Sequence, residues 1–379
     1  MLRQRGPVSR AQIAADTALS RATVSSVVDE LQASGLVLEE GPGPTQAGRP
    51  PALVRLNHRA GTALGIDFGK RHLRVVVADL GHRVLAERGE ELDSAHEAEH
   101  GMAEAARLVA EVLEEAGAQR TTVIGVGMGL PGPINQTTGE LGSSTILPGW
   151  VGVRAQAAMS ERLDLEVQVD NDANLGALGE WTWGAGRGAA NGAYLKVATG
   201  IGTGLIVDGR PFRGAGGTAG EIGHTMIDRD GPVCRCGNRG CLETRVGALA
   251  LLELLRPAHG ELTVRELLEQ AQAGDQACRR VLADAGSAIG AAAANLCNLL
   301  NPERIVVGGE LGAAGELLLE PLREALGRAA IPSAAADAEV VAGELGERAE
   351  VLGAVALVLR SSGVARDPGP RAALAAAAG

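Results

Sequence analysis

Residues 214–243 hold the side chains best able to do chemistry: G-A-G-G-T-A-G-E-I-G-H-T-M-I-D-R-D-G-P-V-C-R-C-G-N-R-G-C-L-E. Cys234, Cys236 and Cys241 form a C-x-C-x4-C knuckle, with His224 ten residues upstream. Three thiolates and one imidazole make a closed tetrahedral zinc set, the stoichiometry of a structural site rather than a hydrolytic one. Gly237 and Gly240 let the backbone turn tightly enough for Cys236 and Cys241 to reach one ion. The alternative is three free thiols in a loop, but ligand count and spacing favour Zn2+. Glu221 lies three residues before His224, and Glu243 two after Cys241. A metal would thus fix a loop bearing two carboxylates and a ring, acceptors suited to the hydroxyls of a sugar. A solvated acidic loop is the competing reading of the carboxylates.

This stretch resembles the signature of the ROK family of repressors, open reading frames and sugar kinases. The matching segments are L-K-V-A-T-G-I-G-T-G-L-I-V-D-G at 195–209, A-G-E-I-G-H at 219–224 and C-R-C-G-N-R-G-C-L-E at 234–243. The similarity runs from about residue 9 to about 360. The resemblance implies an α/β fold: an N-terminal winged helix-turn-helix followed by a two-lobed actin-like sugar-kinase ATPase fold of ribonuclease-H-like repeats. It also implies a sugar site of Asn171, Asp172, Glu221, His224 and Glu243. Asp172 would be the catalytic base on a sugar hydroxyl if the chain were a kinase. Without the resemblance, an Asx turn capping the helix that follows serves Asn171 equally well.

The remaining elements must position these groups. A chain of 379 residues suggests two or three domains. Hydrophobic residues make up 45%, glycines number 54 and aromatics only 2%, so Ala, Val and Leu must fill the interior. No run of 18 apolar residues and no apolar leader core appears, so we expect a cytoplasmic protein with no membrane partner. Residues 1–60 carry seven Arg against five Asp or Glu, whereas the remainder nets −13 in a chain whose total is −11. An acidic body repels DNA, which confines operator contact to the first sixty residues.

Ser9 with Gln12 opens a short helix through Ala18. Thr17-Ala18-Leu19 turns, and Ser20 caps a second helix. Val24, Val27, Val28 and Leu31 form its apolar stripe, with Ser20, Arg21, Thr23, Ser25 and Ser26 facing DNA. Strands at 35–40 and 52–56 flank a Gly/Pro loop whose Arg49 reaches for a minor groove. A small helical cap on the body is the alternative. A full winged helix normally has one more helix first, so further N-terminal chain is expected upstream.

The predicted divisions are residues 1–57 as the DNA-binding head, 61–190 as a first α/β lobe and 191–348 as a second lobe with the zinc loop. A helix over 349–362 returns to the first lobe, and 363–379 reads as a disordered tail. Within the lobes, a strand meander from Thr62 turns at Asp67 and Gly69. Gly200, Gly202 and Gly204 read as a glycine loop, and Gly308 and Gly309 as a second glycine turn. The resemblance assigns these residues to a nucleotide.

The turn D-F-G-K-R at 67–71 separates kinase from repressor. Family kinases resemble D-x-G-G-T, whose second glycine and threonine cradle ATP phosphates. Lys70 and Arg71 stand there instead, and a side chain at the second glycine blocks close approach. The segment S-S-T-I-L-P-G-W at 143–150 also lacks a proline–asparagine pair common in family kinases, so the resemblance names no hexose. The favoured expectation is a sugar-responsive repressor: a homodimer or tetramer on operator DNA, with a sugar or sugar phosphate as effector. The alternative is an ATP/Mg2+-dependent hexose kinase.

Overall fold

A computed structural model describes residues 2–41, 51–93, 96–135, 137–142 and 146–361. The head begins with α1 (Leu2–Arg5) and β1 (Val8–Ser9), followed by α2 (Arg10–Thr17) and α3 (Arg21–Ala33). Ser9 Oγ accepts the Gln12 amide and Ser20 Oγ the Thr23 amide, each at 3.1 Å, which satisfies donors that open a helix. Ala18, at φ 55°, provides the left-handed turn between α2 and α3. Strands β2 (Val37–Glu40) and β3 (Leu53–Leu56) pair antiparallel, and β1 joins the far edge of β3. Val24, Val28, Val37 and Val54 form the head's small core. Val27 departs from the expected stripe and is 44% exposed. It lies about 60° off Val24 on a 100°-per-residue wheel, outside the narrow face that α3 buries. Residues 42–50, which include Arg49, and residues 362–379 lie outside the described residues.

The body repeats one topology. In the first sheet β4 (Thr62–Phe68), β5 (His72–Asp79) and β6 (Val84–Glu91) form an antiparallel meander; β7 (Val123–Leu130) and β8 (Val167–Asn171) run parallel to β4. Helices α4 (Ala98–Glu115) and α5 (Ala155–Leu163) contribute buried residues to the core on one face, around Phe68, Met128 and Trp150. Helix α6 (Asp172–Trp183) leads to the second sheet of β9 (Gly192–Val197), β10 (Ile201–Val207), β11 (Arg210–Phe212), β12 (Arg304–Gly308) and β13 (Glu339–Ala342). Here again three consecutive strands meander and two more run parallel to the first.

Helices α7 (Glu243–Val246), α8 (Ala248–His259), α9 (Val264–Ala273) and α10 (Gln276–Leu300) follow the knuckle. Asn301, in the left-handed region at φ 45° and ahead of Pro302, ends α10. Helices α11 (Glu316–Ala329) and α12 (Pro332–Asp337) precede β13. No helix among the described residues is long and apolar enough to cross a membrane.

The final helix, α13 (Ala349–Ser361), closes the body. It lies against β4, β7 and α6 at distances only glycine permits. A Cβ on Gly65 would stand 2.4 Å from the Val351 carbonyl oxygen, and one on Gly127 2.0 Å from that of Ala354. Val351, Val355, Val358 and Leu359 of α13 share a buried cluster with Ala63, Val76 and Ala78 of β4 and β5. Leu36 and Leu56 of the head pack against the same cluster.

Candidate functional site

The knuckle folds back on itself through a short bridge pairing Met226 with Cys241, which brings His224 to the cysteines. Cys236 Sγ lies 3.7 Å from Cys241 Sγ, and Cys234 Sγ lies 3.6 Å from His224 Nδ1. A tetrahedral ion with Zn–S about 2.3 Å and Zn–N about 2.05 Å separates its sulfurs by about 3.8 Å and S from N by about 3.6 Å. All four ligand atoms fall within 4.8 Å of one another, so the set fits one metal ion. Burial and the neighbouring Cys236 and Cys234 push the Cys241 thiol up to about 12, a cost that a cation would remove. Gly240, at φ 66°, passes so close to Asp228 that a Cβ would lie 1.5 Å from the Asp228 carbonyl oxygen; no other residue fits.

With Nδ1 turned to the cysteines, His224 presents Nε2 to Glu221, 3.8 Å from Oε2. Glu221 is partly exposed. Desolvation raises its carboxyl above the ordinary range, and it feels Asp172 and Glu243 across the cleft. Glu243 opens α7 and accepts an Arg235 guanidinium contact at 2.5 Å. A Cβ at Gly200 would lie 2.3 Å from Glu243 Oε2, so that glycine makes room for the carboxylate.

The expected glycine loop is corrected. Thr199 and Gly200 form a hairpin turn, closed by an Ala198 amide to Gly200 carbonyl bond of 2.9 Å, while Gly202 and Gly204 lie inside β10. Their missing side chains serve packing against α6. A Cβ on Gly204 would stand 2.2 Å from the Ala173 carbonyl oxygen, and one on Gly202 3.2 Å from the Ala173 Cβ. Gly308 ends β12, where a Cβ would meet the Tyr194 hydroxyl at 2.5 Å; Gly309 turns at φ 78° against Val197.

Asn171 is the N-cap of α6. Its Oδ1 accepts the Ala173 and Asn174 amides, and its Nδ2 donates to the Gly132 carbonyl at 2.9 Å. The capping reading therefore accounts for its amide at both ends, in place of the expected free sugar contact. Asp172, the first residue of α6, accepts the Ala173 amide on Oδ1 and the Lys196 ammonium on Oδ2, both at 2.8 Å. Lys196 was not singled out from the sequence, because alone it reads as a strand residue. Its Nζ also lies 3.4 Å from Glu350 Oε1, and Glu350 accepts the Tyr194 hydroxyl at 3.2 Å. Burial disfavours the ammonium, but Asp172, Glu350 and Asp67 outweigh it and push Lys196 above the ordinary lysine value. Behind the cleft, Asp170 is buried and holds Arg213 and Asn174.

At the first hairpin, buried Asp67 bonds His72 Nε2 at 2.9 Å. Desolvation opposes both charges, yet their mutual bond prevails: Asp67 is held below the carboxylate range and His72 raised above the ordinary imidazole value. A Cβ at Gly69 would lie 2.0 Å from the His72 ring. His72, which the sequence reading passed over, thus lies against Gly69 and adds a second obstacle at the turn where Lys70 and Arg71 already stand. Arg71 is exposed.

In the head, Arg21, Thr23 and Ser26 face solvent at the start of α3. Ser20 is occupied as the cap. Ser25 is corrected: its hydroxyl faces α2 and takes the Arg10 guanidinium at 3.0 Å, and Arg10 also pairs with Glu39 and Asp29.

Residues 63–361 match the ROK family. The chain is 32% identical over 368 residues to a xylose repressor of Caldicellulosiruptor bescii, covering 93% of this chain and 92% of that one. It is 38% identical over 250 residues to a glucokinase of Halalkalibacterium halodurans, covering 62% of this chain and 76% of that one. Among solved structures it resembles a ROK family transcriptional regulator, a homologue of the Escherichia coli MLC protein, with TM-score 0.80 and 25% identity over 95% of this chain and 93% of that one.

Proposed function

This chain belongs to the ROK family, and on that basis we propose that it is a sugar-responsive, DNA-binding transcriptional repressor of carbohydrate-metabolism genes. One observation carries the reading: likeness to the xylose repressor spans head and body together, whereas likeness to the glucokinase covers 62% of the chain. The family holds both kinds of protein, so the site itself must distinguish them. Asp172 has both oxygens engaged, one by Lys196, and His72 lies against Gly69. Neither arrangement suits a general base and a phosphate cradle.

In this reading Arg21, Thr23 and Ser26 enter the major groove while Ser20 fixes the start of α3, and Arg49 of the wing reaches the minor groove. A homodimer sets two such heads about one helical turn, roughly 34 Å, apart; paired dimers make a tetramer. Zn2+ held by His224 Nδ1, Cys234, Cys236 and Cys241 supplies a structural cross-link that fixes the loop between Glu221 and Glu243. Glu221, Glu243 and His224 Nε2 then accept or donate hydrogen bonds to sugar hydroxyls, beside Asp172 and Asn171. The effector acts only by preferring one arrangement of the lobes, since equal affinity for both shifts nothing. Helix α13 offers the route: its buried Glu350 shares Lys196 with Asp172, and Leu36 and Leu56 of the head rest on the cluster that α13 shares.

Operator binding measured with a panel of sugars tests the proposal. One sugar should change affinity by about tenfold or more; an operator affinity indifferent to every sugar defeats it. ADP release with the same panel and ATP/Mg2+ should stay at background. Hexose-dependent turnover abolished by Asp172→Asn would establish the kinase reading instead.

A further inference from the structure

Asp172 begins α6 and Glu350 lies in the first turn of α13, yet both carboxylates converge on one residue, Lys196 of β9, while Asp67, next to the end of β4, adds a longer-range attraction. Convergent carboxylates from separate elements ordinarily gather a divalent cation, which they share with waters and substrate phosphates. Here the lysine Nζ takes that place, 2.8 Å from Asp172 and 3.4 Å from Glu350, on a side chain only 15% exposed.

We infer that Lys196 is a specificity determinant: it is a tethered cation that closes the cleft to a metal–nucleotide pair and leaves it to a neutral, hydroxyl-rich ligand. The inference rests on the reading of this cleft as a sugar site. A magnesium ion needs oxygens at about 2.0–2.1 Å in near-octahedral array, and the ammonium both fills that space and repels a second cation. Asp67 cannot compensate. Its Oδ2 is given to His72, and only Oδ1 is left without a partner among the described residues. The phosphates meet a second obstacle in the His72 ring against Gly69. A sugar hydroxyl carries no charge to be repelled and can still donate to Glu221 or Glu243.

The test uses the zinc-saturated full-length protein, titrated with Mn2+ and the non-hydrolysable nucleotide AMPPNP, with free Mn2+ read by electron paramagnetic resonance. The wild type should leave the Mn2+ signal unquenched. Lys196→Met, which frees the Asp172 and Glu350 carboxylates, should bind Mn2+ at least about tenfold more tightly, whereas Lys196→Arg, which keeps the charge, should behave as wild type. Wild type binding Mn2+–AMPPNP as tightly as Lys196→Met overturns the inference, as does a folded Lys196→Met that gains no affinity. Should Lys196→Met lose its zinc or its circular dichroism, saturable binding of Mn2+–AMPPNP by the wild type alone still decides against it. Sugar-dependent operator release is read separately, without nucleotide. Its absence sinks the sugar reading and leaves the Mn2+ result to stand or fall by itself.

Discussion

The four ligand atoms of the knuckle were legible in the sequence because three of them lie within eight residues and their types admit few other uses. The cleft was not. Lys196, Glu350 and His72 come from a strand, a late helix and a hairpin, and only the fold makes one charge cluster of them. For the knuckle, Cys236→Ser should lose stoichiometric zinc by elemental analysis and lower Tm, by about 2–4 °C for each kcal/mol removed in a lobe of this size. For the hairpin, His72 should titrate above the ordinary value of 6.5 by NMR, and Asp67→Asn should bring it down. A raised folded value means the Asp67–His72 bond stabilises fully below pH 6.5 and fades as pH rises through the raised value. His72 is 47% exposed, so solvent screening keeps that contribution small.

Among the elements, those with a clean pattern were readable: α3 and α13 each show an apolar face or run, and Ser9 and Ser20 mark the starts of α2 and α3. The stretch from α11 to β13 was not assigned, since Pro321 interrupts its pattern and the alanines near 334 carry no period. The glycines of β10 misled for a related reason: a strand that admits a helix closely spells the same letters as a phosphate loop. Two arginines of the head make the function of each face testable. Arg21→Ala should weaken operator binding by about 1–3 kcal/mol if the side chain reads a base, and leave Tm unchanged. Arg10→Ala breaks the contacts to Glu39, Asp29 and Ser25, so it should lower the stability of the head. Equal loss of stability in both variants would show that α3 presents no free reading face.

For the whole molecule, the decisive contact is α13 between the lobes and beneath the head. Gly127→Val places a side chain 2.0 Å from the Ala354 carbonyl, so α13 must move. We expect a fall in Tm from an overpacking cost of about 1–3 kcal/mol or more, and loss of the sugar effect on operator binding. Retention of the full sugar effect by that variant would place the coupling elsewhere. Because α13 follows every other described element in the chain, it leaves the ribosome after all of them. Until then the glycine-lined face of the first sheet has nothing to rest on, Lys196 lacks Glu350, and Leu36 and Leu56 lack part of their seat. A chain cut short before residue 349 therefore loses at one stroke a carboxylate beside Lys196 and part of the footing of the head.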